Sequence, residues 1–158
     1  MAEVPEVEII VRDLCEAVVG RAIGAVDVLL PASVLFPPPT EYAALLAGRA
    51  VLDADRRAKY ILMSLTGDLL LSVHFMLWGT LKLVPSAQAV AAETLVIYHL
   101  DGGDDLRFLD KLGYARTALA DPITLAQRLD LDSLGPEALE EGFNAEVLAR
   151  QISHRRGV

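Results

Sequence analysis

Apolar positions along the chain follow two rhythms. Val7, Ile10, Val11, Leu14 and Val18 recur at helical spacing, which predicts an amphipathic helix over residues 5–19. Pro5 suits its first position, Glu6 and Glu8 favour the positive end of its dipole, and Gly20 is a C-terminal stop. The rhythm then changes. Ile23–Leu30 reads as a strand, and PASVLFPPPT as a loop, because three consecutive prolines cannot join a ladder. Thr40 caps a short helix through Leu46, closed by Gly48. Strand-like runs follow at Ala50–Asp55, Lys59–Leu65, Asp68–Phe75, Gly79–Val84, Thr94–Leu100, Asp105–Leu109 and Leu112–Leu119. Thr66-Gly67-Asp68 and DGGD at 101–104 are hairpin signals, and Pro85–Ala92 reads as a surface loop. Asp121-Pro122 begins a short helix, and Phe143–Ile152 is another. The expected fold is α+β, an antiparallel β-sandwich flanked by helices.

Composition narrows the class. The 158 residues fit one domain, and a hydrophobic content of 53% supports a real core. No run approaches the roughly 18 apolar residues of a membrane span. The N-terminus carries Glu3, Glu6 and Glu8 where a signal peptide needs positive charge. The single cysteine, Cys15, excludes an internal disulfide framework and a multi-cysteine zinc site. A soluble, cytoplasmic chain is expected. The net charge of −8 argues against strong non-specific binding of nucleic acid by this chain alone. Arg56, Arg57 and Lys59 form one basic cluster and Arg150, Arg155 and Arg156 another. On charge alone, both read as solvated faces.

The N-terminus is the first chemical feature. Removal of Met1 before a small residue exposes the α-amine of Ala2. An α-amine has a pKa near 8, and the start of a helix lowers it further. A neutral amine beside a carboxylic acid, here Glu3, can attack a sugar carbon and form a Schiff base. Taken alone this signal is weak, since every chain has such an amine.

The residues around it add weight. MAEVPEVEIIVRDL resembles the opening of the formamidopyrimidine-DNA glycosylase family, typically MPELPEVE followed by a helix. Arg56-Arg57-Ala58-Lys59-Tyr60 resembles the family's RRAKY segment, and His74 with Gly79 its HLxMxG motif. Leu106-Arg107-Phe108 with Asp110 resembles LRYxD, and Leu134-Gly135-Pro136-Glu137 with Leu139, Phe143 and Asn144 resembles LGPEPL…F. The five blocks occur in the family's order across essentially the whole chain. The resemblance implies a two-layer β-sandwich, residues 1–158 being the N-terminal catalytic domain. The helix–two-turn–helix module and the zinc finger would lie outside this chain, which then needs no cofactor of its own.

The resemblance also implies an activity: excision of oxidised purines from damaged double-stranded DNA and cleavage of the strand, with a monomer expected. Ala2 would be the nucleophile, Glu3 the acid–base group and Glu6 a supporting acid. Lys59 would hold a phosphate. His74 would be a second phosphate or backbone contact, or else a hydrogen-bonded strand histidine. Arg155 and Arg156 fall at a lysine-rich phosphate-contacting segment, with a solvated tail as the favoured competing reading. Leu77, Leu112 and Tyr114 occupy the positions that fill the void left by the flipped base. Trp78 beside them could stack on a base. Two departures stand out: Ala2 replaces the usual proline, and Leu112 replaces an arginine that answers the opposite base. Activity of the isolated domain is expected to be weak or absent. The alternative is a catalytically degenerate member that acts as a DNA-binding or interaction domain.

Overall fold

The first apolar rhythm folds as α1 (Val4–Ala17), which buries Val7, Val11 and Leu14 and has Glu3 at its N-cap. The computed structural model describes residues 2–140 and 142–154. After α1 come β1 (Ala22–Val28), a 3₁₀ turn at Pro31–Ser33 and α2 (Pro39–Leu46). Seven strands follow: β2 (Arg49–Arg57), β3 (Tyr60–Leu65), β4 (Leu69–His74), β5 (Thr80–Pro85), β6 (Thr94–Leu100), β7 (Asp104–Leu109) and β8 (Arg116–Ala120). The described chain ends with α3 (Pro122–Arg128), a 3₁₀ turn at Leu131–Ser133 and α4 (Ala145–His154).

The strands are hydrogen-bonded in the order β5-β7-β6-β1-β2-β3-β4-β8, each neighbouring pair antiparallel. The β1–β2 junction pairs only Ala22 with Ala50 and Ile23 with Arg49. There the ribbon folds over into two layers, β5-β7-β6-β1 and β2-β3-β4-β8. The period-2 alternation of β3 sends Ile61, Met63 and Leu65 inward, where one continuous core joins them to Val96, Tyr98, Leu106 and Phe108 of the opposite layer. A buried hydroxyl cluster spans the layers. Tyr42 of α2 bonds Tyr98 of β6 at 2.7 Å and Thr117 of β8 at 2.8 Å. Burial pushes the Tyr98 phenol up to about 12, so these hydroxyls act as neutral hydrogen-bonding partners.

The other face of β3, β4 and β8 is apolar too. Tyr60, Leu62, Leu70 and Ala118 pack under Leu125 and Leu131 of the α3 region. This is the α+β sandwich with flanking helices that the patterning predicts. Three boundaries differ. Pro38 is the N-cap of α2 and Thr40 lies inside the helix, because a proline at N1 needs no N–H partner. β8 begins at Arg116 rather than Leu112, because the Asp110 carboxylate captures the N–H groups of Leu112, Tyr114 and Ala115 and curls 111–115 into a loop. α4 starts after Asn144, whose Oδ1 accepts from the Glu146 and Val147 N–H groups. No described helix is long and apolar enough to cross a membrane.

Gly79 closes the turn after β4 by donating its N–H to the Phe75 carbonyl at 2.9 Å. A Cβ there would lie 2.7 Å from Phe75 Cα and carbonyl oxygen and 2.9 Å from Ala115 Cβ. Backbone cannot move aside as a flexible side chain does. Gly79→Ala should therefore destabilise the fold by about 1–3 kcal/mol, the usual range for overpacking. Urea denaturation at constant m-value checks this, and an unchanged midpoint would refute it.

Candidate functional site

The site starts at the head of α1. The Glu3 N–H, which the helix cannot satisfy, donates to Glu6 Oε2 at 2.9 Å. Glu6 therefore acts on Glu3 through the backbone. The carboxylate of Glu3 reaches away and meets Lys59 Nζ at 2.6 Å. Ala2 is half-buried and packs against the main core.

Lys59 is presented by the two-residue turn between β2 and β3. Its companion Ala58 has φ +51°, a left-handed conformation that costs a non-glycine residue energy. Glu137 supports this turn from outside the sheet. Its Oε1 accepts the Ala58 N–H and an Arg57 guanidinium proton, and its Oε2 accepts from Arg56. Arg56 also donates to Glu8 Oε2 of α1 at 2.9 Å. Arg57 reaches the carbonyls of Leu131, Leu134 and Gly135. Arg56 and Arg57 are thus structural clamps, not the solvated face expected from charge. Arg56 is buried, with 5% of its side chain exposed. Burial alone would raise the Glu137 carboxyl. The Ala58 N–H and the two guanidiniums outweigh it and hold the group below its ordinary value. Glu8 is likewise lowered, chiefly by its hydrogen bond from Arg56.

A cross-strand row continues the site. Tyr60 pairs with His74, and His74 with Arg116. The Tyr60 and His74 rings are 4.6 Å apart. His74 Nδ1 accepts the Met76 N–H at 3.1 Å, so the neutral ring carries its proton on Nε2. Burial, then the nearby Lys59 charge, lowers its pKa. At neutral pH this ring is an uncharged donor. Arg116 donates to the carbonyls of Gly113 and Ala115, tying the row to the loop that Asp110 shapes. That loop exposes Leu112 and Tyr114, and the turn after His74 exposes Leu77.

The structure therefore gathers Ala2, Glu3, Glu6, Lys59 and His74 around one end of the sandwich and puts Leu77, Leu112 and Tyr114 on two adjoining loops. Arg155 and Arg156 lie outside the described residues. Sequence reasoning passed over Glu137, Asp110 and Arg116 as working parts. Glu137 and Asp110 belonged to recognised motifs, but nothing local showed which groups they hold. Among the described residues, no cluster of three or more His, Cys, Asp or Glu could bind a metal ion.

A two-layer sandwich that brings a helix N-terminus, a hairpin lysine and two apolar loops together defines a domain class with known relatives. Residues 1–117 match the family described as formamidopyrimidine-DNA glycosylase N-terminal domain. The chain is 38% identical over 156 residues to the formamidopyrimidine-DNA glycosylase of Moorella thermoacetica, covering 99% of this chain and 57% of that protein. It is 36% identical over 155 residues to that of Symbiobacterium thermophilum, covering 98% and 50%. The fold matches the crystal structure of the Lactococcus lactis Fpg in complex with abasic-site DNA, with a TM-score of 0.86, 21% identity, and coverage of 96% of this chain and 56% of that one. The chain belongs to the formamidopyrimidine-DNA glycosylase family. It spans about half the length of the curated relatives it matches.

Removing the Glu137 charge should loosen the Lys59 turn. Glu137→Gln leaves a buried guanidinium short of a partner, a defect that costs about 3 kcal/mol in comparable pairs. The sign with pH follows from the lowered carboxyl. Its contribution is complete above the ordinary value of 4.5 and is lost as pH falls through the folded value. Urea unfolding of variant and parent should therefore differ most near about pH 7, and the difference should shrink as pH falls below 4.5. A difference that does not shrink on acidification would refute the role.

Proposed function

We propose that this chain is the catalytic half of a DNA glycosylase/AP lyase that removes oxidised purines in base-excision repair. The observation that carries this reading is the Glu3–Lys59 contact at the head of α1. On this reading it supports a site in which the amine of Ala2 lies one residue from a carboxylate that is in reach of a cation suited to a DNA phosphate. The relatives named above carry the name of this activity.

On this reading the damaged nucleotide leaves the stack and its sugar approaches residue 2. The amine of Ala2, freed by removal of Met1, attacks C1′ and displaces the base. Glu3 transfers a proton to the ring oxygen as the sugar opens. The Schiff base acidifies the adjacent C2′ proton, and loss of that proton expels the 3′ phosphate. Lys59 holds a backbone phosphate beside the lesion, and so draws away from Glu3 as DNA binds. His74 supports it with an uncharged Nε2–H donor, and Arg156 is assigned a further phosphate contact. Glu6 keeps Glu3 in place. Leu77, Leu112 and Tyr114 are apolar wedges for the vacated stack. None of these steps calls on a metal in this chain. The partner is damaged duplex DNA, the expected site of action the cytoplasm and the expected state a monomer.

Borohydride trapping tests the chemistry. With an abasic-site duplex at high protein concentration, a covalent adduct should form on residue 2. Retaining Met1 shifts the amine by about 3.5 Å and should abolish it. An adduct on Lys59, or undiminished trapping with an extended N-terminus, would overturn the assignment. DNA binding with no adduct would instead support the degenerate binding domain, which the replacements at Ala2 and Leu112 favour.

Leu112 carries a separate expectation. A bidentate arginine–base contact is worth about 1–3 kcal/mol of discrimination, and leucine has no donor to supply it. Strand cutting in single turnover should vary less than about tenfold, equivalent to about 1.4 kcal/mol, across the four bases opposite the lesion. Leu112→Arg should raise the preference for cytosine. A larger preference in the parent would show that another residue reads that base.

A further inference from the structure

An open groove of about 440 Å³ lies between β5 and the 109–112 segment, lined by Trp78, Lys82, Glu93, Asp110, Lys111 and Leu112. That volume falls in the range that holds small ligands. Trp78 is the only tryptophan of the chain, and 65% of it is exposed. It sits in the turn closed by the Gly79 N–H bond to Phe75, so a fixed backbone presents it.

Charge singles out the same groove. The chain is acidic overall and has three lysines, Lys59, Lys82 and Lys111. Two of them line this groove, and among the described residues neither makes an ion pair. The arginines behave differently. Arg12, Arg21, Arg56, Arg57 and Arg107 are bridged to carboxylates, Arg49 and Arg116 donate to backbone carbonyls, and Arg128 lies over the Phe36 ring. Of the two acids in the groove, Asp110 has its oxygens engaged by three backbone N–H groups. Glu93 remains as an acceptor.

We infer that this groove is a subsite for one unpaired nucleotide, with the base stacked on Trp78 and the phosphate held by Lys82 and Lys111. An aromatic face beside uncommitted cations is the arrangement that takes single-stranded nucleic acid. Glu93 offers an acceptor to an exocyclic amino group on the base. Leu112 forms one wall, which ties the groove to the loops that fill the vacated stack. Resting on the proposed function, the occupant is the nucleotide left without a partner opposite the lesion. Stacking tolerates any base, so this subsite also accounts for a site that holds the orphan base without an arginine to read it.

Trp78 supplies its own readout. Titrating the chain at low salt with a single-stranded deoxycytidine hexanucleotide should quench its fluorescence saturably. Lys82→Glu with Lys111→Glu should weaken the interaction about tenfold or more. With a labelled hexanucleotide followed by anisotropy, Trp78→Phe should keep most of the affinity and Trp78→Ala should lose it. A short duplex with an abasic site opposite cytosine should quench more strongly than the intact duplex. Absent quenching at millimolar hexanucleotide, equal quenching in the charge-reversed protein, or equal quenching by both duplexes would overturn the subsite. Trapping at residue 2 reports on the reaction itself, so either idea can fail alone.

Discussion

A cation buried on β2 organises the end of this domain that carries the candidate site. Arg56 cannot remain charged inside protein without partners. It finds them in Glu8, 48 residues before it in sequence, and Glu137, 81 residues after it. Those two bonds bring α1, the β2–β3 turn and the segment after α3 to one point. Glu3 is five residues before Glu8 on the same helix side of that junction, and Lys59 follows Arg56 by three. Their meeting at 2.6 Å is a consequence of where Arg56 anchors both. Such a pair is a weak source of net stability, because desolvation offsets much of the attraction. Its effect is to make one arrangement far better than any other, since loss of either partner strands a charge.

The opposite loop follows the same logic with a different group. Asp110 is buried and accepts three backbone N–H groups in succession. The resulting turn keeps Leu112 and Tyr114 out of the strand that their spacing suggests. Exposed apolar side chains on a mobile loop would collapse onto the nearest surface. Here Asp110 and Arg116 fix the backbone from both sides, so the tips stay extended. Gly79 brings the second loop close by giving up a side chain where Phe75 and Ala115 crowd it. Rigid supports under exposed tips are what the proposed wedge between stacked bases would require.

Much of this fold was legible from residue order. Alternation located seven of the eight strands within about two residues, and the glycine turns at Gly67 and Gly102-Gly103 sit where the hairpins close. Strand order was not legible, because β5 pairs with β7 rather than with its sequence neighbour β6. The site divided along the same line. The N-terminal helix, its acids and the lysine turn are local features, and the resemblance named them. Glu137 was not legible as a clamp, since a contact spanning 81 residues leaves no local trace. The Arg56-Arg57 pair misled for the related reason that charge in sequence says nothing about burial. Two adjacent arginines read as a solvated face until the carboxylates that pair with them are in view.

Pairing the arginines with carboxylates has an effect on the exterior. A chain with eight excess negative charges should repel DNA on average, so any attraction must be local. Screening confines exposed charges to about 8 Å at physiological ionic strength. With Arg21, Arg56, Arg57 and Arg107 neutralised by their carboxylates, and Lys59 by Glu3 until a phosphate displaces it, the cations near the site without a carboxylate partner among the described residues are Lys82, Lys111 and Arg116. Lys59 lies at the β2–β3 turn, and Lys82 and Lys111 lie on β5 and just after β7. The strand-by-strand row from Tyr60 through His74 to Arg116, and the two apolar loops, separate these positions. A backbone held on both sides of a wedge is opened by it, whereas a backbone held on one side can slide away. On the proposed reading, the scarcity of lysine works as placement: Lys59 on one side and Lys82 and Lys111 on the other flank the point where the stack would part, and the acidic remainder disfavours other dockings of the same DNA.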